Sequence, residues 1–131
     1  MTDTIAVLVV DDEPSICKLV REILEREGYR VHIAGHGLEA LQIIASLETV
    51  SCVVTDLVMP NMDGITFGMK LHETYPNLAT VVISGRVDLE AASIQALAPL
   101  LNSETGCLVK KPFTPARLIE AVRKALSKAC P

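Results

Sequence analysis

An α/β domain with a parallel sheet is the fold class this sequence predicts, on three observations. Five short apolar segments rich in Val and Ile recur along the chain, and each is followed by a stretch with helical periodicity. Regular alternation of strand and helix implies a parallel sheet covered on both faces. The 131 residues, half of them hydrophobic, suffice for one domain with a core that needs no staples. The expected organisation is therefore a single domain over residues 1–131.

The elements follow in order. Residues 5–10 (Ile5-Ala6-Val7-Leu8-Val9-Val10) form a short, continuous apolar run rich in Val and Ile, which reads as a buried strand. Pro14 suits the first turn of a helix, and Ile16, Leu19, Val20, Ile23 and Leu24 form its apolar stripe. Glu22 and Arg26 are four apart in the favourable order on the outer side, and Gly28 ends the helix. Residues 30–34 are the second strand, and Leu38, Leu41, Ile44 and Ala45 mark the second helix. Residues 52–55 are the third strand, followed by a loop with Pro60 and Asp63-Gly64 and a helix over residues 65–74. Pro76-Asn77 makes a turn into the fourth strand, residues 79–83.

Asp88 is placed to cap a fourth helix, but Pro99 interrupts its apolar pattern of Ile94, Leu97, Ala98 and Leu101 and should end or kink it. A polar turn, residues 102–106, leads to the fifth strand, residues 107–110. Pro115 opens the last helix, with a stripe of Leu118, Ile119, Val122 and Leu126.

Right-handed crossovers restrict how five such units can be connected. They fit a flavodoxin-like (βα)5 sandwich of three layers, strand order 2-1-3-4-5. Strands one and three are neighbours in that order. Asp11 and Asp12, after strand one, then converge with Asp56, after strand three, at the C-terminal edge where such sheets place their chemistry. Strand four brings Ser84 to that edge and strand five brings Lys111.

Composition narrows the function classes. A net charge of −4 argues against a nucleic-acid-binding surface. There is no apolar run of about 18 residues, so no transmembrane helix is expected. Met1-Thr2-Asp3-Thr4 lacks the basic start of a signal peptide. Cys17, Cys52, Cys107 and Cys130 have no metal-binding spacing, and reduced thiols in a cytoplasmic setting are expected, with Cys130 exposed.

Three converging carboxylates repel one another unless a cation or protons intervene. Mg²⁺ prefers oxygen ligands and binds through a few carboxylates, waters and phosphate. Lys111 supplies a point charge for phosphate oxygens and Ser84 a hydroxyl donor. A carboxylate can itself be a nucleophile, giving an aspartyl-phosphate, and Asp56, solitary at its strand end, is better placed for attack than the paired aspartates. Phosphoryl transfer needs chiefly positioning and charge neutralisation, which these residues offer.

Four motifs in this order, Asp11-Asp12 after a strand, the run from Asp56 through Met59-Pro60 to Asp63-Gly64, Ser84-Gly85, and Lys111-Pro112-Phe113, resemble the receiver domains of two-component response regulators. The resemblance covers residues 5–126. It implies that Asp56 accepts a phosphoryl group from a phosphohistidine on a sensor histidine kinase or phosphotransfer protein. It further implies that Asp12, Asp56 and the backbone carbonyl of Val58 ligate Mg²⁺, with Asp11 acting through a water. Lys111 would bind the phosphoryl oxygens, Ser84 would move to bond the phosphate, Gly85 would leave room for the donor, and the Lys111-Pro112 bond would be cis. Signalling would leave through the face of the fourth helix, fifth strand and last helix, toward a downstream target, an output domain or a second copy of the chain. The domain would catalyse only its own phosphorylation and dephosphorylation.

The chain departs from that family's pattern in three places. Leu108 stands where an aromatic switch residue is usual. The segment between Ser84 and Lys111 is longer and holds Pro99. Val58 and Arg86 occupy positions that tune dephosphorylation, and here they are expected to hinder water and shield the phosphate.

Other readings compete. An interaction module working without regulated phosphorylation would keep the fold; Leu108 and the altered fourth helix favour it slightly, while the intact acidic trio, Ser84 and Lys111 argue against it. A Mg²⁺-dependent phosphatase usually carries its nucleophile in a DxD pattern, which Asp11-Asp12-Glu13 is not. Gly35-His36-Gly37-Leu38-Glu39-Ala40 matches a dinucleotide-binding fingerprint, but a lone match of this kind leaves the acidic trio unexplained. Taken singly, Asp11-Asp12 could be a solvated strand end, Ser84 a turn residue, and His32, His36 and His72 solvated surface.

Overall fold

A computed structural model describes residues 5–47, 49–56, 64–84 and 106–129. Five strands, β1 (Ala6–Val10), β2 (Arg30–Ala34), β3 (Val50–Asp56), β4 (Ala79–Ser84) and β5 (Gly106–Lys110), form one sheet in the order β2-β1-β3-β4-β5. Every pairing is parallel. The helices among the described residues are α1 (Pro14–Arg26), α2 (Gly37–Leu47), α3 (Gly64–Thr74) and a C-terminal helix, Pro115–Ala129. The expected fourth helix, with Asp88 and Pro99, lies outside the described residues, as do Val58, Gly85, Arg86 and Cys130.

Side chains alternate across a strand, so the unbroken apolar run of β1 feeds two cores. Val7 and Val9 join Val54, Val81, α1 (Val20, Leu24) and the C-terminal helix (Leu118, Val122). Leu8 and Val10 join Val53, α2 (Ala40, Ile44) and α3 (Phe67, Leu71) on the opposite face. Phe67, Leu8 and Leu71 are among the largest fully buried side chains. Burying each such side chain contributes about 1.5–3 kcal/mol relative to exposure.

Helix α1 stops as the glycine signal predicts. Gly28 has φ of +91°, its N–H donates to Glu25, and the Tyr29 N–H reaches back to Leu24. That is a Schellman motif, whose left-handed residue is usually glycine because it has no Cβ. Two expectations for α1 are corrected. Leu19 is 45% exposed rather than part of the buried stripe. The ion pair along its outer side is Arg21–Glu25, at 3.7 Å, one step before the expected Glu22–Arg26. Arg21 also donates through Nη2 to the Val31 carbonyl on the edge strand β2 (3.3 Å), which draws it across that side.

The structure also accounts for the Gly35–Ala40 match. His36 Nδ1 accepts the Glu39 N–H at 3.2 Å, and the Glu39 carboxylate accepts the Gly35 N–H at 2.8 Å. These reciprocal bonds satisfy donors at the start of α2 in the manner of a capping box. The three histidines are half-buried, and His72 Nδ1 has no hydrogen-bond partner among the described residues.

Candidate phosphoacceptor site

Strand register assembles the site. Val10 is level with Thr55, so Asp11 and Asp12 leave β1 alongside Asp56, the last residue of β3. Asp56 is level with Ile83, one residue before Ser84, and Ser84 is level with Lys110, one residue before Lys111. All the residues singled out from these four strand ends therefore reach one edge, the C-terminal edge of the sheet. Carboxylate oxygens of Asp11, Asp12 and Asp56 lie within 4.8 Å of one another. Lys111 Nζ is 3.6 Å from Asp56 Oδ2. The Lys111-Pro112 peptide bond is cis, as the resemblance implied.

The three carboxylates differ in setting. Asp11 and Asp56 are buried, at 3% and 7% exposure, whereas Asp12 is exposed. Asp11 is held at its backbone N–H, its carbonyl and one carboxylate oxygen. Its N–H donates to the Ala34 carbonyl (3.2 Å), its Oδ1 accepts the Glu13 N–H (2.9 Å), and its carbonyl accepts from the Cys17 thiol (3.3 Å). The Glu13 bond also satisfies a donor at the entry to α1, where Glu13 provides no side-chain cap of its own.

Burial pushes the Asp11 carboxyl up to about 6 from an ordinary 3.8, opposed by the Glu13 hydrogen bond and reinforced by the negative charge of Asp56. Lys111 lowers it and Asp12 raises it further. The donor set suits a hard divalent ion: oxygen atoms only, partly buried, with an open side for water and phosphate at exposed Asp12. Among the described residues this acidic trio is the group able to hold a metal ion.

Sequence reasoning brought Asp11, Asp12, Asp56 and Lys111 together, and the structure does the same. It places the backbone of Ser84 at the same edge. Leu108 sits mid-way along β5, level with Val82 and half-buried. Its neighbours Cys107 and Val109 pack into the α1-side core, so Leu108 alternates to the other face of the sheet. Cys17 carries no signal in the sequence beyond the absence of a metal-binding spacing. No spacing rule links it to Asp11, because the contact depends on how the β1–α1 turn folds back.

The sequence pattern of the response regulator receiver domain matches residues 7–123. The chain belongs to that family. A receiver is thus the frame in which the acidic trio and Lys111 are read. The sensor kinase CckA of Brucella abortus is 35% identical over 130 residues, 98% of this chain but 13% of the kinase. The transcriptional regulatory protein SrrA of Staphylococcus aureus is 30% identical over 122 residues, 93% of this chain and 48% of SrrA. The chain thus spans half or less of these two relatives. Among solved structures, the signal receiver domain of an HD domain-containing protein from Pseudomonas fluorescens superposes with a TM-score of 0.83 at 29% identity, covering 98% of this chain and 91% of the other. A receiver domain from Clostridium thermocellum gives 0.81 at 28% identity, covering 95% of each. Receiver domains are signalling modules and not enzymes acting on a separate substrate. No helix among the described residues is long and apolar enough to cross a membrane.

Proposed function

We propose that this receiver is a phosphorylation-controlled switch in which Asp56 is the phosphoacceptor. The observation that carries the reading is the 3.6 Å approach of Lys111 to Asp56 inside a cluster of three carboxylates. An oxygen of Asp56 attacks the phosphorus of a phosphohistidine on a sensor histidine kinase or phosphotransfer protein. A P–O bond to Asp56 forms and the P–N bond breaks. The imidazole leaves with the bonding electron pair and takes up a proton. The ammonium of Lys111, 3.6 Å from Asp56 Oδ2, offsets the negative charge of the phosphoryl oxygens as the new bond forms.

Mg²⁺ fits the donor set and would be held by Asp11, Asp12, Asp56 and the Val58 backbone carbonyl. When bound it neutralises charge on the transferring phosphoryl group. Asp11, with Oδ1 already engaged by Glu13, keeps its other oxygen for the ion or its water. The Ser84 hydroxyl is assigned to the phosphate, in keeping with the place of its backbone one residue past the level of Asp56. Val58 and Arg86 are assigned to slowing hydrolysis. The domain is taken as one unit over residues 1–131, working in the cytoplasm, with output through the β5 and C-terminal-helix face to a target, an output domain or a second copy.

Incubation with acetyl phosphate and Mg²⁺ tests this. The wild-type chain should gain one phosphoryl group by intact mass, and Asp56→Asn should gain none. Labelling of Asp56→Asn equal to wild type would remove Asp56 from the role. The aliphatic Leu108 favours a second reading, an interaction module without regulated phosphorylation. Under it, phosphorylated and unphosphorylated chains would bind their target equally.

A further inference from the structure

The peptide that joins Asp11 to Asp12 carries the Asp11 carbonyl. Its orientation sets the direction in which both carboxylates leave β1. That carbonyl has one side-chain partner, the Cys17 thiol, at 3.3 Å from Sγ to oxygen. Cys17 is one turn into α1 and 4% exposed. Cys17 belongs to the same buried core cluster as Val9, Val20 and Leu24. The Asp11 N–H and Oδ1 are fixed by Ala34 and Glu13. Cys17 fixes the remaining polar atom of the residue's backbone.

We propose that Cys17 is a positioning residue for the ion site: its S–H holds the Asp11–Asp12 peptide so that the two carboxylates face Asp56. This rests on the reading of the acidic trio as a divalent-cation site. It adds a residue from the hydrophobic core to the parts that set ion affinity. A cavity of about 280 Å³ lies beside the two aspartates, lined by Cys17 together with Pro14 and Ile33.

The test compares wild type with Cys17→Ser, which keeps a donor, and Cys17→Val, which removes it at similar volume. Mg²⁺ affinity is measured by calorimetry on the unphosphorylated chain. The Mg²⁺ dependence of labelling by acetyl phosphate is then followed. Losing one net hydrogen bond should weaken Mg²⁺ binding by about three- to tenfold in Cys17→Val. Labelling at saturating Mg²⁺ should stay within about twofold of wild type, and Cys17→Ser should restore the affinity. Equal Mg²⁺ affinity in wild type and a folded Cys17→Val would overturn the proposal. Equal weakening in Cys17→Ser and Cys17→Val would do the same, assigning the effect to packing. Failure of the parent reading looks different: wild type would bind Mg²⁺ yet show no labelling, or Asp56→Asn would be labelled. A wild-type chain that binds no Mg²⁺ overturns both.

Discussion

Lys111 Nζ stands 3.6 Å from Asp56 Oδ2, the two joined from strand ends that are not neighbours in the sheet. Both side chains are largely shielded, at 24% and 10% exposure. The pair therefore feels a lower dielectric than a surface ion pair. It supplies a fixed positive charge where a phosphoryl group on Asp56 would carry its negative oxygens. Lys111→Met should slow labelling by acetyl phosphate by at least about tenfold at saturating Mg²⁺, measured as the initial rate of mass gain. A rate unchanged from wild type would separate Lys111 from the chemistry.

Asp11 makes the ion-free domain sensitive to pH in a defined direction. Its carboxyl titrates at about 6 in the folded chain against 3.8 ordinarily. Between those values the folded chain holds a proton that the unfolded chain has released. The contribution of Asp11 to stability is therefore full below about pH 3.8 and is lost as pH rises through 6. Asp11→Asn should lack this loss and gain on wild type by about 1–3 kcal/mol between pH 4 and pH 7 in urea unfolding without Mg²⁺. A constant difference across that range would contradict the assignment.

The same titration opposes the ion. Protons and a divalent cation compete for Asp11, so Mg²⁺ affinity should rise with pH through about 6. In Asp11→Asn that rise should flatten. At pH 7, adding Mg²⁺ should raise the melting temperature of wild type more than that of Asp11→Asn. Thermal scans at pH 5 and pH 7 with and without Mg²⁺ measure both effects.

Gly28 and Phe67 test the scaffold apart from the site. Gly28→Ala places a Cβ at φ +91° and should cost about 1 kcal/mol, although no atom lies within 4 Å of the new methyl. Phe67→Ala empties the centre of the α2–α3 core and should cost about 3–5 kcal/mol. Urea unfolding measures each. Equal costs would mean that the fully buried Phe67 is not the packing centre of its layer.

Much of this architecture was legible because its signals are local or periodic. The run 5–10, Pro14 and Pro115 each mark an element start that the structure shows within one residue, and Gly28 lies just past the C-cap of α1. Convergence of Asp11, Asp12, Asp56 and Lys111 followed from strand order, since handed crossovers leave few ways to connect five units. What escaped the sequence depends on turns and on competition between neighbours. Leu19 keeps the helical spacing of a core residue yet faces outward. Arg21 rather than Glu22 took up the helix-surface ion pair because it also reaches the β2 edge. His36 became a helix cap through its Nδ1, a role that spacing alone does not distinguish from a solvated histidine. The Cys17–Asp11 bond is of the same kind.

Asp56 as the reactive carboxylate is the claim on which the rest depends. Wild-type chain is incubated with acetyl phosphate and Mg²⁺, the acyl phosphate is trapped by borohydride reduction, and the modified residue is mapped by peptide sequencing. The modification is expected at residue 56 alone. Modification at Asp11 or Asp12, or none anywhere under conditions where Mg²⁺ binds, would contradict the account.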